Sequence, residues 1–144
     1  GAGTIFGLGK LFAGDLSIQE LNQLAEKGDA KKLNISVGEI YENSEELGFP
    51  PSITAGNFTK LNGEITMEDK IAALMQMVAE SLATLVSAAS NSNSIVVIVG
   101  GGTFYPHFLQ SLITTLDFYG FKSLIPPKAL YANCYGALFN LGIN

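Results

Sequence analysis

The chain has 144 residues, 47% of them apolar and only 15% charged, with a formal net charge of −5. That excludes a disordered chain and allows one domain with a modest core; the lack of a basic cluster argues against nucleic acid and anionic membranes as partners. Cys134 and His107 are the only cysteine and histidine, which excludes an intrachain disulfide and a zinc site. No acidic Ca²⁺ loop, signal peptide, transit peptide or membrane-length apolar run is read, so a reducing, cytoplasmic setting is expected.

In chain order, Gly1-Ala2-Gly3-Thr4 runs into the apolar segment Ile5–Phe12. This predicts the first turn of a helix at Gly3 and Thr4, whose free N–H groups suit a phosphate. It lacks the third glycine of the dinucleotide fingerprint and the Gly-Lys-Ser/Thr of a Walker loop. The first residue is Gly rather than Met, so this N-terminus is not expected to be a native start. Ser17-Ile18-Gln19-Glu20 is a capping box that starts a helix running to about Lys27, stopped by Gly28-Asp29. A short helix is predicted near Ser36–Tyr41. Gly48-Phe49-Pro50-Pro51 reads as a rigid loop, and Ser52–Gly63 has no period.

Thr66-Met67-Glu68-Asp69 starts the most clearly patterned helix. Ile71, Leu74, Met75, Val78, Leu82, Leu85, Val86 and Ala89 form an apolar stripe at spacings of three and four. Asn91-Ser92-Asn93-Ser94 ends it. The β-branched run Ile95–Val99 predicts a strand buried on both faces, as in a parallel sheet. Gly100, Gly101 and Gly102 sit at its carboxyl end, where open α/β sheets bind ligands; either a nucleotide approaches this backbone or the turn is bare. A helix over about Pro106–Phe118, a strand at Ser123–Ile125 and a last helix near Ala132–Leu141 complete the pass. Two strands do not make a stable parallel sheet alone, so strands are either hidden in the loops or supplied from outside this chain.

Read together and in order, these segments resemble the C-terminal half of type II pantothenate kinases, members of the acetate and sugar kinase/Hsp70/actin superfamily. Gly1-Ala2-Gly3-Thr4 with Gly7-Leu8 and Leu11-Phe12-Ala13-Gly14 resembles the family's Gly-Gly-Gly-Thr segment with its Gly-Leu pair and Leu-Phe/Leu-x-Gly ending. Ala25–Asp29 with Val37–Tyr41 resembles its intervening helices, and Thr54–Lys60 its small-residue/Asn-Phe loop. Thr66–Ala89 resembles its long helix, Val97–Phe104 its strand and adenosine loop, and Tyr135-Gly136-Ala137-Leu138 its terminal helix. The resemblance implies an α/β fold, the C-terminal half of an actin-like/ribonuclease H-like ATPase whose sheet is incomplete here. Residues 1–144 would form its nucleotide-binding domain, with a helical insertion over about 15–63. It implies phosphoryl transfer from ATP to pantothenate with Mg²⁺, the first step towards coenzyme A, by a homodimer or heterodimer. The phosphate loop and glutamate base of that family are absent from this sequence, so the chain alone is expected to be inactive.

The resemblance places nucleotide contacts at Gly3, Thr4, Gly100, Gly101, Gly102, Thr103 and Phe104, and pantothenate contacts at Thr54, Ala55, Asn57 and Phe58. Phe104 is equally readable as a core aromatic. Met75 and Met77 belong to a core or dimer helix. His107 reads as a solvent or cap residue, Cys134 as a small core residue, and Glu68 and Asp69 as capping residues. Two departures stand out. Ala2 replaces a family glycine, and the family's Glu-Gly element is missing from Pro127–Cys134. They motivate the alternative of a divergent, non-catalytic partner subunit.

Overall fold

The computed structural model describes residues 1–46, 48–91 and 94–142. Helices α1 (Ala2–Ala13) and α2 (Ile18–Lys27) come first, followed by strand β1 (Ile35–Ser36), the single turn α3 (Val37–Ile40) and strand β2 (Thr54–Gly56). The long helix α4 (Met67–Ala89) comes next. Strand β3 (Ile95–Val97), helix α5 (Pro106–Phe118), strand β4 (Lys122–Leu124) and helix α6 (Ala132–Asn140) complete the order. The fold is mixed α/β with two small sheets. β1 and β2 pair antiparallel; β3 and β4 pair parallel, Ile95 opposite Lys122 and Val97 opposite Leu124.

Helix α4 is the axis of the molecule. Thr66 caps it: its hydroxyl accepts the Asp69 N–H at 3.2 Å, and the Asp69 carboxylate accepts the Thr66 N–H at 3.0 Å. These bonds satisfy donors that the first turn leaves without an intrahelical partner. α4 contains no Gly or Pro. Ile71, Ala72, Ala73, Leu74 and Met75 are all fully buried, so this stretch is covered on every side. α1 contributes Ile5, α2 contributes Leu21 and Ala25, and α5 contributes Phe108, Leu112 and Leu116 to the shared core. Each large side chain buried there stabilises the fold by about 1.5–3 kcal/mol relative to exposure. The stripe read from spacing holds through Val78 and fades after it. Leu82 and Val86 are partly buried, whereas Leu85 is 66% exposed and Ala89 is exposed. The helix ends at Ser90, whose backbone is extended. Of the expected stop signal, Ser92 and Asn93 lie outside the described residues.

Five expectations are corrected. β3 is not buried on both faces: Ile95, Val97 and Val99 are exposed, and only Ile98 of the run is buried, because the core covers one face alone. Its regular part is three residues long, and β4 begins one residue earlier than expected. The stretch without a period, Ser52–Gly63, contains β2. Finally, an apolar segment long enough to cross a membrane by length and composition does exist. It is α4 itself, 44% of whose most apolar window is buried by its own chain.

Candidate functional site

The expected helix at Gly3 and Thr4 forms, with Gly1 as its N-cap. The Thr4 N–H already donates to the Gly1 carbonyl at 3.0 Å, so the amides of Ala2 and Gly3 are the ones that no helical carbonyl reaches. The glycine cluster after β3 makes a 3₁₀ turn over Gly101–Phe104. Gly100 opens it at φ +88°, a left-handed conformation that favours glycine, and donates its N–H to the Ala129 carbonyl at 2.9 Å. The Thr103 hydroxyl donates back to the Gly100 carbonyl at 2.8 Å and closes the turn.

The two glycine-bearing turns meet. A Cβ built on Gly101 would lie 3.3 Å from the Ala2 Cβ. A Cβ on Gly102 would lie 3.0 Å from the Phe108 ring. Two of the three glycines thus allow close packing, and the first supplies a turn. Phe104 is 47% exposed rather than a core aromatic. Its carbonyl accepts from Asn22 Nδ2 at 2.7 Å, which ties the loop to α2.

The Thr54–Phe58 segment lies elsewhere, against α4 and the 3₁₀ turn at Ala30–Lys32. The Thr54 hydroxyl donates to Glu80 Oε1 at 2.8 Å. Gln76 Nε2 donates to both the Thr54 hydroxyl, at 2.9 Å, and Glu80 Oε1, at 2.8 Å. Ala55 is exposed. Asn57 Oδ1 is buried without a hydrogen-bond partner among the described residues. Phe58 adopts φ +55°, costly for an aromatic residue; its N–H donates to the buried Asn34 Oδ1 at 3.0 Å, and its ring packs on Phe12.

Two openings, of about 390 and 500 Å³, adjoin Thr54 and α5. Lys31, Ser52 and Gln76 line both, so they form one groove. His107, expected at the surface, is partly buried on its wall; burial lowers its pKa below the usual imidazole value, and the Glu26 charge opposes this only partly. Cys134, expected in the core, is exposed on α6.

Sequence reasoning also missed the reach of Asp69. Its side chain is 3% exposed. It accepts from the Asp29 N–H at 2.9 Å and from Lys32 Nζ at 3.0 Å, besides capping α4. Burial alone would raise its pKa. The donors from Asp29, Thr66 and Lys32 outweigh that and hold the carboxyl well below the ordinary range. Gly28 seals the junction, because a Cβ there would fall 2.0 Å from the Glu68 carbonyl oxygen. No group of three His, Cys, Asp or Glu side chains capable of holding a metal occurs among the described residues.

The Fumble family profile matches residues 1–136, and the chain belongs to that family. A type II pantothenate kinase from Oceanobacillus iheyensis is 34% identical over 105 residues, which cover 70% of this chain and 40% of that protein. One from Staphylococcus epidermidis is 27% identical over 146 residues, covering 96% of this chain and 55% of that protein. Pantothenate kinase 1 of Oryza sativa subsp. japonica is 29% identical over 110 residues, covering 72% of this chain and 16% of that protein. The chain thus spans about half the length, or less, of these curated relatives. The family resemblance drawn from the ordered segments is borne out.

Proposed function

We propose that this chain is the C-terminal, nucleotide-binding part of a pantothenate kinase with an actin-like fold, with a helical insertion over about 15–63. The observation that carries the reading is the contact between the two glycine turns, Gly101 against Ala2. It brings the unpaired amides of Ala2 and Gly3 close to the loop read as the adenosine wall. In this reading Gly3 and Thr4 face the phosphates, and Gly100–Phe104 face the base and ribose. Small side chains let a nucleotide approach the backbone, and helix-end amides stabilise its charge. Thr54, Ala55, Asn57 and Phe58 serve the pantothenate side.

ATP supplies the transferred phosphoryl group, and Mg²⁺ would neutralise its oxygens, held mainly by residues outside this sequence. The rest of the protein would supply the phosphate loop, the base for the pantothenate hydroxyl and further strands beside β3 and β4. A second reading, a divergent partner subunit in a homodimer or heterodimer, is favoured by Ala2 and by the altered Pro127–Cys134 stretch.

The test is an amide NMR titration of the chain with Mg·ATP. Shifts at Gly3, Thr4 and Gly100–Phe104 are expected. Shifts confined to other segments, or none, would overturn the nucleotide assignment.

A further inference from the structure

We propose that Asn22, on α2, is a positioning residue for the glycine turn Gly101–Phe104. Its side-chain amide fixes the Phe104–Tyr105 peptide and so holds the turn in the shape that receives a nucleotide. This rests on the nucleotide-binding reading of that turn, and it gives the helical insertion a part in shaping the nucleotide side.

The two ends of the turn are held differently. At its start the Gly100 N–H donates to the Ala129 carbonyl at 2.9 Å, a bond between backbone groups. At its end both polar groups of the Phe104–Tyr105 peptide have partners. The Tyr105 N–H donates to the Gly102 carbonyl at 3.2 Å and ends the 3₁₀ turn. The Phe104 carbonyl accepts from Asn22 Nδ2 at 2.7 Å, the shorter bond and the one that comes from outside the turn. A peptide group is planar, so rotating the carbonyl away from Asn22 also swings the Tyr105 N–H off Gly102. The Tyr105 ring is buried, so that rotation would be taken up on the Phe104 side. One side chain, 82 residues away in sequence, thus controls a backbone plane and the seat of the half-exposed Phe104 ring.

Asn22 is itself held firmly. Ser17 and Glu20 cap the start of α2, and the neighbouring Leu21 is fully buried. Leu21 sits over Gly9 of α1, where a Cβ would fall 2.9 Å from Leu21 Cδ2. α2 therefore grips the helix that carries Gly3 and Thr4 through Leu21, and the second turn through Asn22. The choice of asparagine works against packing. Its Oδ1 is buried and has no hydrogen-bond partner among the described residues. Turning the amide round would not relieve this, because Oδ1 would then face the Phe104 carbonyl, acceptor against acceptor. Leucine would fill the same half-buried position without an unmet acceptor. What asparagine adds is the bond to Phe104, and that bond accounts for keeping a buried polar group at this point.

The experiment compares the ¹⁵N-labelled chain with its Asn22→Leu variant, by amide hydrogen exchange without nucleotide and by titration with Mg·ATP. The Tyr105 N–H is expected to exchange faster in Asn22→Leu, and the Kd for Mg·ATP to rise about fivefold, as when the binding shape falls to roughly a fifth of the population. Asn22→Asp, which sets a carboxylate against the Phe104 carbonyl, should weaken binding at least as much. Asn22→Gln keeps the donor and should stay within about twofold of wild type. Gln23→Ala, at an exposed neighbour, should change neither readout. The melting temperature of Asn22→Leu is expected to stay within about 3 °C of wild type, because the lost bond and the relieved acceptor offset each other. Unchanged affinity in Asn22→Leu, or weaker binding that goes with faster exchange throughout the core, would overturn the proposal. Should leucine disturb folding, Asn22→Asp and Asn22→Gln make the same comparison, and equal affinities for those two would overturn it. If Mg·ATP shifts neither wild type nor variant, the nucleotide reading fails instead. The Tyr105 exchange rate would then still decide whether Asn22 holds the turn.

Discussion

Asp69 shows how much one side chain can carry. It caps its own helix and also accepts the Asp29 N–H and the Lys32 ammonium, joining the end of α2 to the start of α4. Asp69→Ala would leave the Asp29 and Thr66 amides without their acceptor, and the expected cost is about 2–4 kcal/mol, measured by urea unfolding at neutral pH. Folding lowers the pKa of this carboxyl. Its stabilisation is therefore fully present above the unfolded value near 3.8 and is lost as pH falls through that value towards the folded one. Asp69→Asn should flatten that acid limb of the stability curve; an unchanged limb would mean that other carboxylates set it. The capping role was legible, since Thr66 and Asp69 are three residues apart. The bonds to Asp29 and Lys32 were not, because they span 40 and 37 residues and no local rule pairs them. Cys134 failed for a related reason: a small apolar side chain suits a core only if its helix is packed into one, and α6 has no buried residue.

At the scale of elements, helices were read well and strands poorly. Capping boxes at Ser17 and Thr66 mark true helix starts, and each is a short-range arrangement that the chain alone specifies. β2 was missed because it is three residues long and pairs with β1 across a long intervening segment. The run after α4 was read as doubly buried because continuous apolar residues imply cover on both faces, and only one face is covered within this chain. The candidate site divides in the same way. Both glycine turns were visible as glycines, but their contact was not, and the groove joins elements far apart in sequence. α4 also yields a graded prediction. Ala73→Leu should overpack a fully enclosed position and cost about 1–3 kcal/mol. Leu85→Ala, at an exposed position on the same helix, should stay within about 0.5 kcal/mol of wild type. Thermal or chemical unfolding of the two variants compares the ends of the helix directly; equal effects would contradict the burial gradient.

For the molecule as a whole, the proposed kinase reading predicts that the purified chain releases no ADP in response to pantothenate, assayed by a coupled ADP measurement. Phosphoryl transfer depends on positioned groups acting together, and in the proposed reading the base and the phosphate loop lie outside this sequence. Pantothenate-dependent ADP release above buffer background would contradict it. The open parallel pair β3–β4 has a different consequence, one of colloidal behaviour. Ile95, Val97 and Leu124 point apolar side chains into water, and among the described residues each strand pairs on one side only, which leaves an outer edge open to another strand. The isolated chain should therefore self-associate as its concentration rises, visible as growing light scattering. Val97→Lys should suppress that growth without changing the helical circular-dichroism signal, since a lysine on an exposed strand repels its own copy. Where further chain continues this sheet at its edges and covers its open face, the same residues become interior and the hazard disappears, so the tendency to clump reports how much of that cover is missing.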